Sequence, residues 1–164
     1  MVSYLVLDAY NVIGALERYH DAETFDAARE LLVNDALKAA GWTGREVYVV
    51  FDAHRSPDPE RIKPLAGGAV RVVYSAPGQS ADDVIERLLG NLDGPFTVYT
   101  ADFALQRTVL ARGGTRATPR EFADLLDELP ALTRRPEAPR RSRIADHLSA
   151  ETRRKLEEIR RKAE

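Results

Sequence analysis

The sequence predicts an α/β protein: a three-layer α/β/α domain around a central, mostly parallel sheet, followed by a basic tail with a terminal helix. Three observations lead there. Short, apolar, partly β-branched runs alternate with stretches of helical period up to Leu129. Three of the apolar runs end at or just before an aspartate. After Pro130 the texture changes to Pro- and Arg-rich sequence. The expected organisation is a domain over residues 1–130 and a basic linker with a C-terminal helix over 131–164.

Taken in order, Tyr4-Leu5-Val6-Leu7 reads as a buried strand running into Asp8. Thr24 to Ala40 places Phe25, Ala28, Leu31, Leu32, Ala36 and Leu37 at helical spacing, and Gly41 is expected to stop that helix. Val47 to Phe51 is a second strand, ending at Asp52, and Ala69 to Ser75 a third. "SADDVIERLLGNL" opens with Ser80 as cap and an acidic first turn, then keeps helical period to Leu92. Phe96 to Thr100 is a fourth strand, followed by Asp102. "DFALQRTVLARGG" is a helix closed by Gly113 and Gly114. "TPREFADLLDEL" is another, with Thr118 as cap and Pro119 at its first position. "TRRPEAPRRSR" is an expected extended linker, and "LSAETRRKLEEIRRKAE" a terminal helix capped by Ser149.

Composition narrows the function. Of 164 residues, 44% are apolar and 30% charged, as in an ordinary globular protein. The absence of cysteine excludes disulfides, thiolate metal sites and cysteine nucleophiles. The early Asp8 and the lack of any long apolar run argue against a signal peptide and a membrane span, so the chain is read as cytoplasmic, with no membrane partner. The net charge of -2 hides an asymmetry. Residues 134–164 carry 11 basic and 6 acidic side chains, and the 133 residues before them 13 basic and 20 acidic. There is no Walker A motif, no Rossmann fingerprint and no G-x-S-x-G elbow, and no small-molecule organic cofactor is expected.

The aspartates carry the chemistry. In an open parallel α/β sheet, ligands bind outside the carboxyl ends of the strands. Asp8, Asp52 and Asp102 stand at such ends, and Asp82 and Asp83 in the first turn of a helix that follows another strand. Each alone has a plain structural explanation, since Asp82, Asp83 and Asp102 can cap helices and Asp52 can begin a turn. Together they gather four or five carboxylates along one edge, where they repel and raise one another's proton affinity. Arg55 and Arg107 are the cations within these motifs, and a hard divalent cation is the simplest neutraliser. Mg²⁺ takes oxygen ligands, keeps several waters and uses one or two carboxylates plus substrate phosphates. Asn11 is close enough in sequence to Asp8 to add a neutral oxygen or position a water. Tyr10 between them can stack on a base or simply pack.

"LVLDAYNVIGA", "VVFDAH", "SADDVIE" and "YTADFALQ", in this order, resemble the YacP-like group of NYN-domain proteins, relatives of PIN-domain nucleases. The resemblance spans roughly Met1 to Leu129, with the D-x-Y-N stretch its most specific part. It implies a PIN-like (NYN) fold and RNA cleavage dependent on Mg²⁺ or Mn²⁺. A characterised member is a ribosome-associated endoribonuclease that cuts mRNA in the ribosomal A site. Carried over motif by motif, the resemblance implies an acidic site of Asp8, Asn11, Asp82 and Asp102, with Asp52 and Asp83 as additions. Ala9 stands where the family usually has Gly.

The expected function is therefore a metal-dependent endoribonuclease acting on mRNA at the ribosome. Asp8, Asp82 and Asp102 are expected as metal ligands, Asp52 and Asp83 as further ligands, and Asn11 as a group that orients water or phosphate. Tyr10, Arg55 and the linker residues Arg134, Arg135, Arg140, Arg141 and Arg143 are the expected RNA contacts. A noncatalytic RNA- or ribosome-binding module is the alternative, separated by whether cleavage occurs and is lost on chelation. A receiver-type phosphotransfer domain also places acids at strand ends. Here one Asp follows the first strand and no Lys follows a late one, and a small phosphodonor tests it.

Overall fold

The computed structural model describes residues 1–53 and 61–133, with side chains to 129. By its contacts the chain divides into Met1–Leu129 and Pro130–Glu164, and the following concerns the first unit. Its described elements are β1 (Tyr4–Asp8), α1 (Ala9–Ala15), α2 (Glu17–His20), α3 (Phe25–Thr43), β2 (Glu46–Phe51), β3 (Arg61–Leu65), β4 (Val70–Tyr74), α4 (Ala81–Leu89), β5 (Phe96–Tyr99), α5 (Phe103–Ala111), β6 (Thr115–Ala117) and α6 (Pro119–Thr133).

Among the described residues the sheet has six strands in the order β3-β4-β2-β1-β5-β6. Every pairing is parallel except β3 with β4. The apolar runs take this position because both faces of the sheet are covered. Leu5 and Leu7 of β1, Val47 and Val49 of β2 and Val72 of β4 belong to one core, packed with residues of α1, α3 and α6. Val6, Val50, Val73 and Val98 belong to a second core, against Val84 and Ile85 of α4 and Leu105 and Val109 of α5. The period of two along each strand thus feeds two cores, and the chain is a three-layer α/β/α protein as its sequence predicts.

Topology places the site. From β1 the chain steps outward to β2 and β4, then crosses back through α4 to β5 on the other side of β1. Right-handed crossovers in opposite directions put their helices on opposite faces. That is why α3 lies on one face and α4 and α5 on the other. The reversal falls between β1 and β5, and in open α/β sheets it is beyond the C-terminal strand ends at such a point that ligands bind.

Several expectations change. Gly41 does not stop α3, which runs on to Thr43. The packing of Ala36, Ala39 and Ala40 into the core holds the helix through a residue that weakens it by only about 1 kcal/mol. The left-handed turn falls at Gly44 (φ 71°), whose N–H donates to the Ala40 carbonyl. The helix expected to reach Leu92 ends at Leu89. α1, α2, β3 and β6 are additions: α1 is only seven residues long, α2 four, β6 three, and β3 reads "RIKPL". That last composition suits an exposed antiparallel edge, where Lys and Pro discourage further pairing.

Candidate active site

Asp8 ends β1 on the face that carries Val6, so it points to the α4–α5 layer and not to α3. It is 6% exposed. The Thr100 hydroxyl donates to its Oδ2 at 2.9 Å. Thr100 is itself fully buried at the end of β5, and its Oγ1 also accepts from the backbone N–H of Asp102 at 3.1 Å. Gln106 on α5 donates through Nε2 to the Thr100 carbonyl at 2.7 Å. One threonine thereby ties the carboxylate of β1 to the start of α5. Neither Thr100 nor Gln106 was among the expected site residues. The available signal was a hydroxyl at a strand end, between Tyr99 and Asp102.

Asp102 is the N-cap of α5, its Oδ1 accepting from the Leu105 N–H at 3.1 Å. Asn11, on the first turn of α1, accepts at its Oδ1 from the Ala101 N–H at 2.7 Å. The Asn11 oxygen thereby holds the loop that presents Asp102. Its amide nitrogen carries two further donors.

Asp82 and Asp83 separate in role. Ser80 caps α4 by accepting from the Asp83 N–H at 3.1 Å, and the Asp83 carboxylate returns a bond from the Ser80 N–H at 3.2 Å. This capping box engages one oxygen of Asp83, an expected addition to the cluster. Asp82, one residue earlier and turned by about 100° around the helix, faces Asp8 and Asp102 closely enough to feel both. Burial and these two carboxylates push Asp82 up to about 7, and a hydrogen bond with Asp102 favours its protonated form. Burial pushes Asp8 up to about 6, with Asp102 and Asp52 adding to the rise and the Thr100 hydroxyl opposing it. Asp52 follows β2 on the parity of Val50, the same face as Asp8. Its strand end is held by Ser75, whose Oγ accepts from the Ala53 N–H at 2.9 Å.

Tyr10 packs between Phe25 and Phe51, with ring centroids 5.2 and 5.5 Å away. Arg55 and Arg134, Arg135, Arg140, Arg141 and Arg143 lie outside the described residues.

Among the described residues no group of three or more His, Asp or Glu side chains is arranged so that it could hold a metal ion by itself. The donor set is nonetheless that of a hard, oxygen-preferring cation: oxygens only, with the proton affinity of Asp8 and Asp82 raised by burial first and by neighbouring carboxylates second. A cation that keeps several waters needs only one or two direct carboxylates. An open set of carboxylates, reached partly through water, therefore fits Mg²⁺ or Mn²⁺.

Among the described residues no helix is long and apolar enough to cross a membrane. The sequence matches the YacP-like NYN domain over residues 5–161. It is 34% identical over 136 residues to the uncharacterized protein YacP of Bacillus subtilis (strain 168), covering 80% of this chain and 77% of that one. The fold is similar to the crystal structure of Rae1 (YacP) from Bacillus subtilis, with a TM-score of 0.70 and 26% identity over 96% of this chain and 94% of that one. A tryptophan-to-leucine mutant of the same protein matches with a TM-score of 0.64 and 27% identity, over 79% of this chain and 78% of that one. The sheet order, the acidic edge and these matches agree: this chain belongs to the YacP-like NYN domain family, a nuclease-like family with a PIN-like α/β fold.

Proposed function

We propose that this protein is a metal-dependent endoribonuclease that cleaves RNA phosphodiester bonds, acting on mRNA in association with the ribosome and using Mg²⁺ or Mn²⁺. The observation that carries the reading is the convergence of Asp8, Asp82 and Asp102, from three separate elements, at one edge of the sheet where its crossovers reverse, close enough that they feel one another's charge. A folded chain has no structural need to gather charges that oppose one another in this way. Phosphoryl chemistry on a polyanion does need them, as anchors for a cation.

A divalent cation bound there supplies Lewis-acid stabilisation of charge on the phosphate and acidifies a water. The residues do the rest. Asp8 and Asp102 are held rigidly, one by Thr100 and the other by the α5 cap, so their oxygens need little reorganisation. Asp82 projects from the first turn of α4 as the third carboxylate, with Asp52 completing the edge. Asn11 fixes the loop that connects β5 to Asp102. Ribosome association rests on the family resemblance and on the charge of residues 134–164, with 11 basic and 6 acidic side chains.

The test is cleavage of single-stranded RNA and of ribosome-bound mRNA by the full chain. Activity is expected in Mg²⁺ or Mn²⁺, to vanish in EDTA, and to fall at least about a hundredfold in Asp82→Asn. Wild-type cleavage by Asp82→Asn removes that residue from the site. Undiminished cleavage in excess EDTA, with contaminating nuclease excluded, means a metal-free mechanism. RNA or ribosome binding without cleavage establishes the noncatalytic module instead.

A further inference from the structure

The acidic edge leaves one neighbouring feature without a role: the aromatic cluster where α1, α3 and β2 meet. Tyr10, two residues after Asp8, packs at 5.2 Å against Phe25 and 5.5 Å against Phe51. Phe51 stacks on Tyr74 at 5.5 Å with the rings 18° apart. Arg29, one turn along α3 from Phe25, lays its guanidinium 5.8, 5.4 and 5.8 Å from the rings of Tyr10, Phe25 and Phe51.

Two properties set this cluster apart from an ordinary core margin. Phe25 is 56% exposed. It is the first residue of α3, where a polar side chain serves the helix equally well. Arg29 is positioned mainly by rings and hardly by acceptors. Its Nε is buried without a hydrogen-bond partner among the described residues. Its Nη1 meets the largely exposed Asp26 only at 3.5 Å. A partly exposed guanidinium held over aromatic faces, beside an exposed ring and a tyrosine close enough to Asp52 to feel its charge, matches what a nucleotide of a single strand requires. The exposed ring takes a base by stacking, and the guanidinium takes the adjoining phosphate.

We infer that Phe25, Tyr10 and Arg29 form a nucleotide-binding subsite for single-stranded RNA, holding a nucleotide that flanks the bond to be cut. The inference rests on reading the acidic edge as an RNA-cleaving site and names the part of that site that grips substrate. Phe25 provides the stacking face, Tyr10 backs it and ties it to α1, and Arg29 provides the phosphate contact. The subsite reads a base by its π-face, so it tolerates different bases.

The experiment measures binding of a short single-stranded RNA by fluorescence anisotropy in Mg²⁺, using the full chain with Asp82→Asn to suppress cleavage. Into that background go Phe25→Ala, Phe25→Leu, Phe25→Trp and Arg29→Gln. Phe25→Leu keeps apolar volume while removing the flat ring, so a folding defect in Phe25→Ala leaves the test intact. Loss of the ring should weaken binding about fivefold or more, and Phe25→Trp should restore it. The difference should disappear with an RNA carrying abasic sites. Arg29→Gln should flatten the log–log salt dependence by about 0.7. Unchanged affinity in both Phe25→Ala and Phe25→Leu, an equal loss on abasic RNA, or no RNA binding by the parent protein overturns the subsite. Metal-dependent cleavage combined with Phe25-independent binding leaves the nuclease reading standing and removes the subsite. Phe25-dependent binding by a wild-type chain that does not cleave does the reverse.

Discussion

Asp8→Asn separates the electrostatics of the site from its chemistry. The wild-type carboxyl is 6% exposed and is pushed up to about 6 from 3.8, chiefly by burial, against the Thr100 hydroxyl and with Asp102 and Asp52 adding. The folded chain therefore holds this proton more tightly than the unfolded chain does. Below about pH 3 both states are mostly protonated, and the carboxyl takes little from stability. As pH rises from 3.8 to 6 the unfolded state loses its proton first, and stability falls. Above pH 6 the loss is complete, at about 3 kcal/mol. Asn is nearly isosteric, can still accept from Thr100, and has no proton to lose. In urea unfolding with EDTA present, the stability of Asp8→Asn minus that of wild type should grow by about 2 to 3 kcal/mol between pH 4 and pH 8. Millimolar Mg²⁺ or Mn²⁺ should then recover stability for wild type and less of it for the variant, because a ligand stabilises only the state that binds it. Cleavage by the variant should be lost at every pH. A stability difference that stays flat across the pH series would show that Asp8 titrates as an ordinary carboxylate and that the buried-charge argument is wrong.

Other outcomes follow from single side chains. Thr100→Val keeps the shape of a fully buried side chain but removes the donor to Asp8 and the acceptor of the Asp102 N–H. It should cost about 1–3 kcal/mol in urea unfolding and move the Asp8 titration, followed by carboxyl NMR, upward from about 6; an unmoved titration would mean the hydroxyl does not control that carboxylate. Gly114→Ala puts a Cβ 2.0 Å from the Phe96 ring, so the ring must shift, and stability should drop by about 1–3 kcal/mol; wild-type stability would mean the strand end adjusts freely. Replacing Arg134, Arg135, Arg140, Arg141 and Arg143 with Gln should weaken ribosome or RNA binding. It should flatten the log–log salt slope by about 0.7 to 0.9 for each phosphate that is no longer neutralised, whereas unchanged affinity and slope would return the tail to a structural role.

The amino-acid sequence determined four of the six described strands of the central sheet and the acid at the end of three of its apolar runs. Apolar runs of four to seven residues, separated by helical-period stretches, have few other ways to bury themselves. Strand polarity then brings Asp8, Asp52 and Asp102 to one edge without any knowledge of packing. Ser80 and Thr118 also marked their helix starts, because a cap is a local hydrogen bond between residues three apart. The tertiary structure alone decided which way each carboxylate is turned. Asp82 and Asp83 are adjacent and chemically identical. Only the seating of α4 on Val73 and Val98 turns one toward Asp8 and folds the other back onto Ser80. Asn11 was legible as a site residue, but its bond to the Ala101 N–H spans 90 positions. Thr100 reaches across 92 positions to Asp8 and was not legible at all. Tyr10 was equally open to packing or stacking until α3 brought Phe25 and Arg29 against it. Pairings of that range depend on where crossovers return the chain, and no local pattern of residues encodes that return.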